Sequence, residues 1–153
     1  MSSSEVSAQH VKMAHMASRT VYSMLEDTAR AHPEKLALQQ PSVGGMYRGY
    51  TWGEFDDSVK CIAVGLSTIG AKAGTMIALQ SETRAEFYLA DFGVMALGAI
   101  AAALYTSLPI AEQAASIAFC EAKFALVEHP KVLRALQAEL GDHAAKIQWI
   151  LLR

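Results

Sequence analysis

The chain has no run of lysine and arginine. Its 13 basic residues are outnumbered by 15 acidic ones, for a formal charge of −2 over 153 residues. A nucleic-acid surface needs a basic stripe and an anionic membrane surface needs a basic cluster, so charge points to neither partner. Cysteine is scarce: Cys61 and Cys120 are the only two. They form no Cys-x-x-Cys pair and have no histidine at ligand spacing. That excludes a disulfide framework and reads as two buried or half-buried thiols in a reducing, cytoplasmic compartment. A catalytic thiol needs a positioned base, and none can be named. There is no Gly-x-Gly-x-x-Gly, no Walker-type loop and no serine-centred nucleophile elbow. His10, His15, His32 and His143 sit in tail or turn contexts and make no metal set. Residues 1–19 lack the apolar stretch of a secretory signal and the arginines of a transit peptide, and read as a disordered tail in which Met13 or Met16 is an alternative start.

What is present is apolar sequence: 52% of the residues are hydrophobic and 18% charged, which fits a packed domain. Phe92 to Ala111 carries no charge and raises the question of a membrane span. Asp91 at its edge, Gly98 and Pro109 within it, and its many alanines argue instead for a buried helix followed by a buried parallel strand.

From Thr20 on, the chain divides into elements. Thr20 caps a helix with apolar positions at Val21, Met24, Leu25 and Ala29, ended by Pro33. Leu36–Gln39 and Tyr47–Tyr50 read as a hairpin across the turn-rich Pro41–Gly45. Thr51 and Glu54 have capping-box spacing, as do Thr83 and Glu86. After Thr51, Trp52, Phe55, Val59, Ile62, Leu66 and Ile69 keep helical spacing, with Asp56, Asp57 and Lys60 on the opposite, solvated face. Strands are expected near Thr75, Ile100, Lys123 and Ile147, with helices between them. Gly98 and Gly141 serve as helix stops, and Pro109 and Pro130 as helix starts, with Ser107 a cap for the first of these. Strand–helix alternation predicts an α/β fold: a mostly parallel sheet of βα repeats preceded by a helix and a β-hairpin. The apolar Ile147–Leu152 run comes last, without a helix to cover it, so the reading is an incomplete domain over residues 20–153. A C-terminal edge strand in a small complete domain is the alternative.

Ligands of parallel sheets bind beyond the carboxyl ends of the strands. Those ends are Ser81–Glu82, Tyr105–Thr106–Ser107, Glu128–His129 and whatever follows Leu152. Tyr105, Thr106 and Ser107 suit a nucleotide or acyl wall, but a rim aromatic and a helix cap account for them too. His129 has the chemistry of a general base, yet its place before Pro130 suits a helix start. Asp91 is a lone acid in an apolar helix. Glu26–Asp27 and Asp56–Asp57 are adjacent pairs that point apart on helices. No catalytic, cofactor-binding or metal-ligating residue is nominated.

Four segments resemble the AMP-forming acyl-CoA synthetases, of the adenylate-forming ligase superfamily. Tyr50-Thr51-Trp52-Gly53-Glu54-Phe55 resembles the family's first core motif. Arg84-Ala85-Glu86-Phe87, running on to Ala90-Asp91, is similar to the Arg-Pro-Glu-Trp helix start of its long-chain branch, with Ala85 in place of the proline. Leu97-Gly98-Ala99-Ile100 with Tyr105 and Pro109 resembles the second core motif, although Ala103 and Thr106 stand where many relatives have proline. Glu112-Gln113 matches a Glu-Gln of many long-chain members. The resemblance implies the N-terminal part of a long-chain fatty acid–CoA ligase. That enzyme would join a fatty acid to ATP as an acyl-adenylate and pass it to coenzyme A, with Mg2+ as cofactor. It also implies that the reactive groups lie downstream of Arg153, so that this stretch binds no cofactor, is inactive alone and has the remainder of the enzyme as its partner. Peripheral membrane association of the whole enzyme stays open. Other carboxylate-adenylating enzymes, and a non-catalytic α/β binding module using the Tyr105–Ser107 rim, are the competing readings.

Overall fold

A computed structural model describes residues 19–152; most of the expected N-terminal tail lies outside that range. Helix α1 (Val21–Ala31) leads into an antiparallel hairpin of β1 (Leu36–Pro41) and β2 (Tyr47–Thr51), and α2 (Trp52–Thr68) follows at once. Then come β3 (Met76–Gln80), α3 (Ala85–Ala96), β4 (Ile100–Ala103), α4 (Ile110–Phe119), β5 (Phe124–Val127), α5 (Pro130–Leu140) and β6 (Gln148–Leu151).

The last four strands form one parallel sheet in the order β4-β3-β5-β6. The chain moves one way from β3 to β4, with α3 on one face. It moves the other way from β4 to β5 and from β5 to β6, with α4 and α5 on the opposite face, as a fixed crossover hand requires. Strand alternation divides the core accordingly. Ile77, Leu79, Phe124 and Leu126 pack with Leu66, Ala90 and Val94 from α2 and α3. Ala78, Ala125 and Val127 pack with Ala114, Ile117 and Leu136 from α4 and α5. A third cluster, of Leu25, Tyr50, Phe55, Val59, Ala85 and Leu89, fastens α1 and the hairpin to the outside of α2 and α3.

Local chemistry sets most element ends. The Thr51 hydroxyl accepts from the Glu54 N–H and the Glu54 carboxylate accepts from the Thr51 N–H, completing the expected capping box. Thr20 caps α1 in the same reciprocal way, with Ser23. Gly98 takes a φ of +72° just past α3, where its N–H and that of Ala99 reach back to the Met95 and Val94 carbonyls.

Several expectations are corrected. Thr83 does not cap α3: the N-cap is Arg84, and Glu86 turns to its guanidinium instead. Ser107 does not cap α4, whose N-cap is Pro109. Asp56 is not on a solvated face; it is buried at 8% exposure and held 2.7 Å from Lys60. Cys61 is exposed rather than buried. Strand β4 is an edge strand, with Ile100 48% exposed, because β5 pairs on the other side of β3. No helix of the described residues is long and apolar enough to cross a membrane.

Candidate functional site at the switch point of the sheet

Strands β3 and β5 are neighbours, and the chain leaves their carboxyl ends toward opposite faces. This is the switch point, where a parallel sheet ordinarily opens a crevice for ligands. Two of the strand ends foreseen from the sequence, Ser81–Glu82 and Glu128, meet there. The Tyr105–Ser107 loop follows β4, on the far side of β3.

The crevice is closed by the protein's own charges. Glu128 Oε2 accepts from the Glu82 N–H at 2.8 Å and lies 3.1 Å from Ser81 Oγ. Glu128 Oε1 accepts from Arg84 Nη1 at 2.9 Å, and Arg84 Nε donates to Glu86 Oε2 at 2.6 Å. Burial pushes the Glu128 carboxyl up, but the Glu82 N–H, Arg84 and Ser81 outweigh it and hold the group below the usual carboxylate range. The hydrogen bond from Arg84 is the main reason that Glu86 also sits low, against the pull of burial. Arg84 is driven further up by the two carboxylates and stays charged. The cluster is therefore an ion-paired clasp, two carboxylates on one guanidinium, between β3, β5 and α3. It does not fit Mg2+ or a nucleotide phosphate, because its carboxylates already share one guanidinium and its N–H donor is taken. No group of three metal-ligating side chains occurs among the described residues.

The remaining candidates are structural. The His129 Nδ1 accepts from the Lys131 N–H and so caps α5. Tyr105 is a rim aromatic, 76% exposed. Thr106 contributes its carbonyl, which with that of Leu108 accepts from the buried Gln113 Nε2, at 3.4 and 2.7 Å. Asp91 is half-buried, and burial alone raises its carboxyl. Arg84 and Glu128 were the residues that sequence reasoning did not join. They lie 44 positions apart, and only the β3–β5 pairing unites them.

A second feature is an apolar groove of about 510 Å³ on the α2–α3 face. Ile62, Gly65 and Leu66 of α2, with Ile69 at its C-cap, form one wall, and Ile150 and Leu152 the other.

The four-stranded parallel sheet, its helix layers and the hairpin outside α2 match the N-terminal subdomain of adenylate-forming enzymes. The family model for AMP-binding enzyme matches residues 25–152, and the chain belongs to that family. It is 33% identical over 94 residues to the uncharacterized protein Rv1549 of Mycobacterium tuberculosis, a match covering 61% of this chain and 51% of that protein. It is 28% identical over 85 residues to the long-chain-fatty-acid–CoA ligase FadD15 of Mycobacterium bovis, covering 56% of this chain and 14% of the ligase. The N-terminal domain of FACL13 from Mycobacterium tuberculosis has the same fold, with a TM-score of 0.77 at 23% identity over 87% of this chain and 33% of that domain. The chain thus spans about half the length of the first relative and far less of the others.

Proposed function

We propose that the chain is the N-terminal segment of an AMP-forming long-chain fatty acid–CoA ligase and serves it as scaffold. The similarity to FadD15, inside a family match that runs from residue 25 to 152, carries this reading. In the whole cytoplasmic enzyme, ATP with Mg2+ would activate the fatty acid and coenzyme A would receive it. The residues of this segment hold layers in register: Arg84 and Glu128 fix the switch point, and Gln113 fixes the loop after β4. Its partner is the remainder of the AMP-binding domain, seated along the apolar groove between α2 and β6. Membrane association of the whole enzyme would be peripheral.

ATP–pyrophosphate exchange tests the reading. The chain alone should give background exchange with palmitate, benzoate and amino acids. Co-expressed with the remainder of a FadD15-type ligase, it should support exchange with palmitate. Turnover by the chain alone would refute the scaffold role, and exchange with an aryl or amino acid in place of palmitate would move the assignment to another carboxylate-adenylating branch.

A further inference from the structure

We propose that the cleft between the β1–β2 hairpin and the start of α3 binds a phosphate-bearing small molecule. The cleft is about 530 Å³ and is lined by Gln40, Ser42, Arg48, Tyr50, Arg84 and Glu86, among others. Hairpin register places its polar groups together. Gln40 pairs with Arg48 and Leu38 with Tyr50, so Arg48 and Tyr50, two apart on β2, share one face.

Donors outnumber acceptors in this cleft. The Arg48 guanidinium lies 4.6 Å from the centre of the Tyr50 ring and forms no ion pair among the described residues. Stacking on a ring orients a guanidinium and leaves its five N–H groups free to donate. Tyr50 is only 6% exposed, yet its hydroxyl has no hydrogen-bond partner among the described residues and is not sealed from solvent. A hydroxyl open to solvent at the end of a buried ring is free to donate to a ligand. The Ser42 hydroxyl is likewise uncommitted among the described residues. Two acceptors are already used: Gln40 Oε1 takes the Ala85 N–H at 2.9 Å, and Glu86 Oε2 takes Arg84.

Charge narrows the ligand. Arg84 is shared by Glu86 and Glu128, and Arg48, which makes no ion pair among the described residues but helps to hold the Glu86 carboxyl low, is the cation left to meet a ligand. Glu86 repels an anion from the α3 side and confines it to the hairpin side. Three donors line the cleft, on Arg48, Tyr50 and Ser42, and suit the three free oxygens of a phosphate better than the two of a carboxylate. The site rests on none of the chemistry proposed for the whole enzyme.

The test is a titration of the full chain with inorganic phosphate at constant ionic strength, read by amide chemical shifts, with acetate as control. Saturable shifts are expected at residues 42–50 and 84–86 with phosphate and not with acetate. Arg48→Gln should weaken binding about tenfold or more, the scale of a lost hydrogen bond to a charged group. Tyr50→Phe, which keeps the ring, should weaken it several-fold. Arg48 is exposed and loses only its stack on Tyr50, so its variants should lower the melting temperature by no more than a few degrees. Arg48→Lys, which retains charge but not the planar fork, should fall between. Shifts that do not saturate, that acetate reproduces, or that persist in Arg48→Gln would overturn the site.

Discussion

Gly93 and Gly65 show what a single missing side chain does in this protein. Both lie inside helices, where glycine costs about 0.5–1 kcal/mol relative to alanine. At Gly93 of α3, an added Cβ would run into the Ile62 side chain of α2, so the glycine is what lets the two helices approach. At Gly65 of α2, an added Cβ would meet nothing. Gly93→Ala should therefore destabilise the chain, by about 1–3 kcal/mol from overpacking, while Gly65→Ala should be neutral or stabilising by up to about 1 kcal/mol. Urea unfolding of the two variants checks the contrast, and equal effects would contradict the packing. Neither role was legible in the sequence, where both are plain glycines in helical runs. Asp56 was misread for a related reason. Its i+4 partner Lys60 was visible, but the burial beside α1 that comes from tertiary packing was not.

At the scale of elements, the sequence showed best what neighbours in the chain decide. The Thr51 box, the Gly98 stop and the Pro130 start are contests among residues three or four apart. Alternation of strand and helix was equally plain. Strand order was not: a run such as Ile100-Ala101-Ala102-Ala103 looks alike in the middle of a sheet or at its edge. The same limit hid the clasp, and the local reading of Thr83 and Glu86 as a box lost to Arg84, which reaches both Glu86 and Glu128. The clasp should carry a pH signature. Glu86 and Glu128 are both held below their ordinary value of 4.5. Their stabilisation is thus full above about pH 4.5 and is lost as pH falls through their lower folded values. Glu128→Gln should cost about 1–2 kcal/mol at pH 7, kept small because Arg84 is one-third open to solvent. It should also flatten the loss of stability on acidification. A variant whose melting temperature falls with pH as steeply as the parent's would show that the clasp contributes nothing.

For the whole molecule, the groove between α2 and β6 decides how the chain relates to its partner. The crossover rule limits what can fill it. A helix that continued past β6 in the direction already taken from β5 would land with α4 and α5, on the other face of the sheet. On the scaffold reading proposed above, the occupant of the α2–α3 face would be another part of the AMP-binding domain. The match to the N-terminal domain of FACL13 covers a third of that domain. Ile62, Gly65, Leu66 and Ile69 recur at i, i+3, i+4 and i+7, the spacing of a helix-packing face, with Gly65 as the notch for close approach. An environment-sensitive hydrophobic dye should bind the isolated chain here, and the remainder of the domain should displace it. Gly65→Glu puts a charge into the notch without touching the core, since its Cβ position is open. That variant should keep the parent's melting temperature, lose most dye binding and fail to support exchange with the co-expressed remainder. If Gly65→Glu complements as well as the parent, the partner sits on another face, and the open edge of β4 becomes the surface to probe.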